Sequence, residues 1–459
     1  MASGQGANNF VAFAIQDTFG TAITDLNAFK YFPMKAGGLK ESKPSKASDQ
    51  TYGSEPQFMR KQNQSFEASI PMDCYYEGLA TILSMAFLHT ETEVQPFVVT
   101  NSNKYINFRE NLVSDPIFTA TVALGSYTPE ELCAAIDTAL EAASVAGGNT
   151  VAYTTTFDDV TGQFTIASDS AYLKILFSSG ANAANSIRSL IGWGSVDLTD
   201  SSAPCSVAGN PLGAYTRCYD HVFIPVRSNR FLTDQDQDKG LTILCNMDLV
   251  TQQGDTAFPT ALAFAWGEND PHAPAITLGF KGRYLQEIPA ITLPGGVLND
   301  VPGNPDGNLS SSIQIGENEY INQYMRSANY SVNFPTDLKH GLGSTKAVKA
   351  TRTGKHSAAF QTGWDFEDDN ALRDDFNTAW EDKDNTVKIV MTQLGEIINT
   401  NPEVKQRLKI TAYAARPIGD TAQATQGTLE QPYNFQLERD TVNDLPMIKI
   451  ELRNMETLA

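Results

Sequence analysis

Phe66-Glu67-Ala68-Ser69-Ile70-Pro71-Met72 places an apolar side chain at every second position, and Tyr433-Asn434-Phe435-Gln436-Leu437 does the same near the other end of the chain. Successive side chains of a strand point to opposite faces, so a period of two reads as strands with one buried face. Working outward from the first run, a basic approach (FMRKQNQ, from Phe58) precedes it. A helix-type stripe of Leu79, Leu83 and Phe87 at i, i+4, i+8 follows it. The same order returns late in the chain: KATRTGKH, then the alternating run SAAFQTGWDF through Phe360, Thr362, Trp364 and Phe366, then Leu372, Phe376 and Trp380 at the same spacing. Two copies of one strand-plus-helix unit are therefore expected.

Between the copies, about 96–204, the character changes. Thr128-Pro129-Glu130-Glu131 is a capping box with Pro at the first helical position, followed by Leu132, Ile136 and Leu140. Val151–Phe157 and Gln163–Ala167 alternate on either side of the turn-rich Asp158–Gly162 and read as a hairpin. A strand over Tyr172–Phe177 and a short helix over Ala181–Ile191 are expected next. The segment reads as an inserted α+β domain, with 11 acidic residues against the four basic residues Lys104, Arg109, Lys174 and Arg188. The chain as a whole is expected to be mainly β (α+β). A first module comprises 1–95 and 205–292 and the insert 96–204, while the Gly-, Pro- and Asn-rich 293–311 is a linker and 312–459 a second module.

Composition narrows the function. Of the 459 residues, 41% are apolar and 19% charged, which is globular rather than disordered. A net charge of −20 disfavours a surface built to hold nucleic acid, because such surfaces gain affinity when Lys and Arg displace counterions from phosphates. Met1–Gln16 has no basic n-region or apolar h-region, and no run of eighteen apolar residues occurs, so neither secretion nor membrane insertion is expected. Cys74, Cys133, Cys205, Cys218 and Cys245 are scattered without C-x-x-C spacing and read as reduced thiols made in a cytoplasm.

The run Ile15-Gln16-Asp17-Thr18-Phe19-Gly20-Thr21, the strand SFEASIPM and Tyr76-Glu77-Gly78-Leu79 together resemble the opening of the tail tube (major tail) proteins of long-tailed bacteriophages. The stretch from Ala328-Asn329-Tyr330-Ser331-Val332-Asn333-Phe334 through TGKHSAAFQTGWDFEDDNALRDDF to Leu408-Lys409-Ile410 is similar to the second half of the same proteins. The resemblance implies β-sandwich or barrel modules, each with a flanking helix, whose sheets join between neighbours into a closed ring. Ring closure removes the unpaired edge strands of an isolated sheet. Rings in that family commonly hold six modules, so a chain with two would close as a homotrimer of pseudo-sixfold symmetry. The implied function is structural: rings stack into the virion's tail tube, other tail proteins cap its ends, and double-stranded DNA passes through the lumen without specific binding. Assembly would take place in the host cytoplasm, with no membrane, cofactor or metal. The insert is similar to small modules of other virion proteins and would project from the outer surface. The alternative is a carbohydrate- or receptor-binding virion protein acting through the insert, with loop aromatics such as Trp193 stacking on sugars.

No constellation of residues points to catalysis, and no catalytic, cofactor-binding or metal residue is assigned. Asp234-x-Asp236-x-Asp238 begins like a calcium loop, but Lys239 stands where Gly is needed and Cys245 where Glu is needed. Gly341–Lys346 (GLGSTK) has the composition of a phosphate loop with the wrong spacing, and Lys346, Lys349, Arg352 and Lys355 read as a polar loop. Glu367-Asp368-Asp369, Asp374-Asp375 and Glu381-Asp382 share a segment with the apolar stripe of the second helix and read as its solvated outer face. His89, His221, His272, His340 and His356 stand far apart and outside any metalloprotease or hydrolase motif. Acidic side chains at the polar positions of the alternating strands are expected to line a negatively charged channel.

Overall fold

The computed structural model describes residues 9–35, 38–43, 45–47, 51–52, 55–56, 59–61, 63–225, 240–247, 250–267, 270–292, 309–315, 318–321, 325–341, 344–352, 355–365, 375, 378–379, 381, 387–420, 423–425 and 428–458. The fold is mainly β, dominated by large antiparallel sheets. The chain divides into two compact units. One comprises Met1–Glu91, His221–Glu396 and Gln406–Ala459, and the other Thr92–Asp220 with Ile397–Lys405. The segment 96–204 falls inside the second unit, and both flanks contribute to the first. Of the expected linker, 293–308 lies outside the described residues and 309–311 opens the strand Leu309–Ile315.

In the first unit, Ser65–Asp73 is a strand whose buried positions are Phe66, Ile70 and Met72, as its alternation requires. It pairs with Leu39–Ser42 on one side and with Asp270–Pro289 on the other. Asp270–Pro289 returns as a long hairpin from Val250–Gly267. The far half of Val250–Gly267 then pairs with Met325–Asn333, from Ala261↔Asn333 to Gly267↔Ser327. Met325–Asn333 pairs with Ser357–Asp365, which pairs with Thr428–Glu438. The two flanks of the sequence are thus one hydrogen-bonded sheet. Its core face carries Leu278, Phe264, Tyr330, Phe360 and Phe435, each buried in the same apolar cluster.

One order of elements occurs twice. Leu39–Ser42, a two-stranded arm of Ser45–Ala47 with Met59–Lys61, the strand Ser65–Asp73 and the helix Leu79–Ser84 follow in turn. Met325–Asn333, an arm of Thr336–His340 with Ala347–Arg352, and Ser357–Asp365 repeat it. Residues 375, 378, 379 and 381 are helical in the second copy, with Ala379 in the core. Leu372, Phe376 and Trp380 lie outside the described residues. In the first copy the helix is shorter than its stripe suggests: it ends at Ser84, and Phe87 reaches the core from the turn beyond it, its amide bonded to Leu83 O at 3.0 Å.

Two local devices hold this sheet in register. The ring of Phe66 lies across the backbone of Gly254 and Gly282, where any Cβ would collide with it. At Thr256 the strand bulges against its other neighbour, Leu241–Met247: Leu241 opposes Ala257 and Ile243 opposes Gly254, so Asp255 and Thr256 together face Thr242, and Thr256 takes φ 53°. Positive φ strains a β-branched residue, and the surroundings must hold it there. Gln16, buried directly after the strand Phe10–Ile15, does so. Its amide donates to Thr242 Oγ1 (2.9 Å) and Asp255 Oδ1 (3.0 Å), and its carbonyl accepts from Thr256 Oγ1 (2.9 Å).

In the second unit the capping box forms as its spelling suggests. The amide of Glu131 donates to Thr128 Oγ1 at 3.3 Å, and Glu131 Oε2 accepts from the amide of Thr128 at 2.9 Å. The helix Pro129–Ala146 buries Leu132, Ile136 and Leu140 against Phe118–Thr121 and the hairpin Tyr153–Asp158/Gln163–Ser168. The helix expected over Ala181–Ile191 is instead two 3-10 turns, Ala183–Asn185 and Ile187–Ser189, broken where Ser186 takes extended angles (φ −81°, ψ 152°). Glu110 is fully buried and gathers three donors: Ser144 Oγ (2.8 Å), Asn149 Nδ2 (2.8 Å) and the Tyr153 hydroxyl. It ties the helix end and the turn after it to the sheet. Asn399 joins the segment 397–405 to this unit, exchanging 2.8 Å bonds with the backbone N and O of Thr216. All five cysteines are buried free thiols.

Gly282→Ala is expected to lose about 1–3 kcal/mol by overpacking against Phe66, and Phe66→Ala about 3–5 kcal/mol. Both are measurable by chemical denaturation. Glu110→Ala strands three donors at about 1–3 kcal/mol for each one left buried. It is expected to lower the unfolding transition of the second unit alone, read by hydrogen exchange of Pro129–Ala146 against Ser65–Asp73.

Candidate functional site

The outward face of six adjacent strands of the sheet, from Ser65–Asp73 to Thr428–Glu438, is built from their alternate positions. Register aligns them in rows. One row runs Ser69, Gly279, Ala261, Asn333, Ser357. The next runs Pro71, Thr277, Ala263, Ser331, Ala359, Gln436, and the third Asp73, Ala275, Ala265, Asn329, Gln361, Asn434. Most of these positions are exposed or half-buried, while their neighbours in sequence, Ile70, Leu278, Leu262, Val332 and Phe360, point into the core. The rows carry small and polar side chains with a single charge. Asp73 is the one ionic side chain in the three rows, and it is paired with Lys35. Beyond the first row Glu67 stands between Lys40 and Lys281 in register.

The carboxylates expected at the polar positions of alternating strands are largely absent from these three rows. The polar positions of these alternating strands are filled by Ser, Thr, Asn, Gln, Ala and Gly, and the acidic excess of the chain lies elsewhere. Such a face offers a polyanion neither Lys or Arg to release counterions nor a carboxylate row to repel it. None of the described positions in these rows is an aromatic residue on which a base or a sugar could stack.

The other sequence candidates are not gathered into a site. Asp234, Asp236 and Asp238 lie outside the described residues, as do Glu367–Asp369, Asp374 and Asp382. Asp375 accepts from Asn318 Nδ2 at 2.7 Å. Lys346 sits 3.7 Å above the centre of the Tyr284 ring, and Lys349 lies opposite Lys339 in the second arm. Trp193 is buried rather than displayed in a loop. Its ring meets Phe177 edge-on at 4.9 Å and covers Gly209, which removes it as a sugar-stacking platform.

Two histidines that stand 132 residues apart in sequence come together in the first unit. His89 and Glu91 share one face of the strand Leu88–Glu93, and His221 lies on its neighbour Tyr219–Ile224. His89 Nε2 is 3.0 Å from His221 Nδ1, and Glu91 Oε2 is 3.6 Å from the same atom. His221 is fully buried, its Nε2 at 2.9 Å from both Asn454 Oδ1 and the carbonyl of Glu456. Burial, and then His221, hold His89 below the usual imidazole value. Close by, Glu456 accepts from the amide of Gly78 at 2.9 Å and from the Thr81 hydroxyl, fastening the C-terminal segment to the start of the helix Leu79–Ser84. Sequence spacing could not reveal this group, because the second unit separates its members along the chain.

Compared with models of known families and with curated proteins, the sequence gives no match. No helix among the described residues is long and apolar enough to cross a membrane.

The register makes the outward face separable from the core by substitution. Asn329→Asp and Gln361→Glu are expected to change stability by no more than about 0.5 kcal/mol, whereas Phe360→Ala, one residue away, costs about 3–5 kcal/mol. Urea denaturation of the single variants distinguishes the two faces.

Proposed function

We propose that this chain is a structural virion protein, the tail tube protein of a long-tailed bacteriophage, and not an enzyme. The observation that carries the reading is the sheet that runs without interruption through both copies of the repeated unit, joined at Ala261–Gly267 and Ser327–Asn333. A sheet that propagates from one copy to the next inside a chain can propagate from chain to chain by the same hydrogen bonds. Closing it into a ring leaves no edge exposed to unwanted pairing. With two copies in each chain, three chains close a ring of pseudo-sixfold symmetry, and stacked rings make the tube. Other tail proteins then meet its two ends.

The uncharged face supplies the inner wall in this reading. Duplex DNA carries about one negative charge per 1.7 Å, and a wall of Ser, Asn, Gln, Ala and Gly gives it nothing to adhere to during ejection. The second unit serves as an outer decoration. A sugar- or receptor-binding role through that unit loses its main support with the burial of Trp193.

Purified protein examined by negative-stain electron microscopy is expected to show rings with a central hole, stacked into tubes. A protein that stays monomeric under all concentrations and salts would rule the tube out. Ala263→Lys with Gln361→Lys is expected to leave ring formation intact but to slow DNA ejection from assembled particles in a salt-dependent way, measured by DNA release in bulk.

A further inference from the structure

The His89, Glu91 and His221 group has the donor set and second sphere of a metal site. Its three ligand atoms lie within 4.8 Å of one another. A tetrahedral ion with bonds of about 2.0–2.2 Å places its ligand atoms roughly 3.2–3.6 Å apart. The 3.0 Å separation of the two ring nitrogens and the 3.6 Å from Glu91 Oε2 to His221 Nδ1 are within a small ring rotation of that geometry.

The protein also sets the tautomer that a metal needs. The amide of Asn454 is oriented by its own Nδ2, which donates to Tyr76 O at 2.7 Å, so its Oδ1 must face His221. With the Glu456 carbonyl beside it, only an N–H at His221 Nε2 satisfies these two acceptors. In neutral His221 the lone pair is therefore on Nδ1, directed at His89 and Glu91. An imidazole whose far N–H is held by carbonyl oxygens is the usual outer arrangement of a metal-binding histidine. Glu91 is similarly oriented, its Oε2 accepting from the amide of Leu458 at 2.9 Å.

We propose that His89 Nε2, His221 Nδ1 and the carboxylate of Glu91 bind one divalent ion of the borderline class, with Zn2+ the best fit to two imidazoles and one carboxylate. His221 lies inside the core and Glu91 is 23% exposed, so the ion sits at the protein surface with its fourth position open to water. On binding, it displaces whatever proton His89 and His221 share, and the proton leaves to solvent. The ion clamps the strand Leu88–Glu93 to Tyr219–Ile224. Through Asn454, Glu456 and Leu458 it also secures the C-terminal segment that caps the helix Leu79–Ser84. The site is a staple, and it does not depend on the tube reading. The buried cysteines do not compete, since burial pushes the thiols of Cys133 and Cys245 up to about 12 and that of Cys74 higher still.

The test uses the full chain without an affinity tag, stripped with a chelator and titrated with Zn2+ against a colorimetric zinc indicator, with Co2+ absorption as a second probe. One ion per chain is expected, with visible bands of a four- or five-coordinate Co2+ and a zinc-dependent rise in the thermal midpoint. His89→Gln is expected to abolish stoichiometric binding and the Co2+ bands. Glu91→Gln should weaken binding at least tenfold, with both variants melting like the metal-free parent. Glu91 is partly exposed, so its variant reports even if His89→Gln does not fold. Absence of stoichiometric zinc in the parent, or equal binding by Glu91→Gln, overturns the proposal.

Discussion

The structure depends on a strand pair that must satisfy two surroundings at once. Ala261–Gly267 and Ser327–Asn333 are hydrogen-bonded to one another, and each also carries a further strand on its other side. Leu262, Phe264, Tyr330 and Val332 point into the apolar cluster, while Ala263, Ala265, Asn329 and Ser331 form the outward face. Because the side-chain period is two, a slip of one residue at this junction would exchange the two sets. It would bring the aromatic residues to the surface and bury Asn and Ser without partners. Register at this one pair therefore propagates to the six strands.

Fixing that register takes polar and steric devices outside the junction. Thr256 occupies a bulge at positive φ, held by its hydroxyl's bond to the Gln16 carbonyl, whose own amide is fixed by Thr242 and Asp255. Arg283 completes the group, bonding Asp255 Oδ2 at 3.1 Å and the carbonyl of Gly20 at 3.0 Å. The opening motif around Gln16–Gly20 is thus connected to the centre of the sheet more than two hundred residues later. Phe66 over Gly254 and Gly282 works sterically: a missing side chain on two strands is filled by an aromatic ring from a third. The second unit uses other means. The Thr128 capping box starts its helix, and Glu110 ends it on a buried carboxylate with three donors.

The polar face and the His89 group show what joint reading of fold and chemistry adds to charge counting. A net charge of −20 suggests acidic side chains at the polar positions of alternating strands, yet the three outward rows hold one, Asp73, paired with Lys35. Some acidic residues serve in ion pairs and caps elsewhere. Arg217, for example, meets Glu93, Glu130 and Asp159 in the second unit. Net charge describes the whole surface, and pairing of strands decides which part of it any passing molecule meets.

The sequence by itself determined the mainly-β class, the strands Ser65–Asp73 and Ser357–Asp365, the helix after Thr128 and the hairpin near Tyr153. Each of these depends on local physics: a period of two, a cap that bonds its own third residue, a turn between two runs. Local pattern erred where neighbours decide, as at Ser186, whose extended backbone splits an expected helix. At Trp193 only packing decided between a loop aromatic and the core position usual for a lone Trp. Only the tertiary structure decided which polar positions lie side by side, because register between Ala265 and Asn329 is set by hydrogen bonds across tens of residues and leaves no trace in either segment alone. The same holds for His89 and His221, joined across 132 residues. Their meeting is a property of two strands lying side by side in space, which the order of residues along the chain does not encode in any local signal.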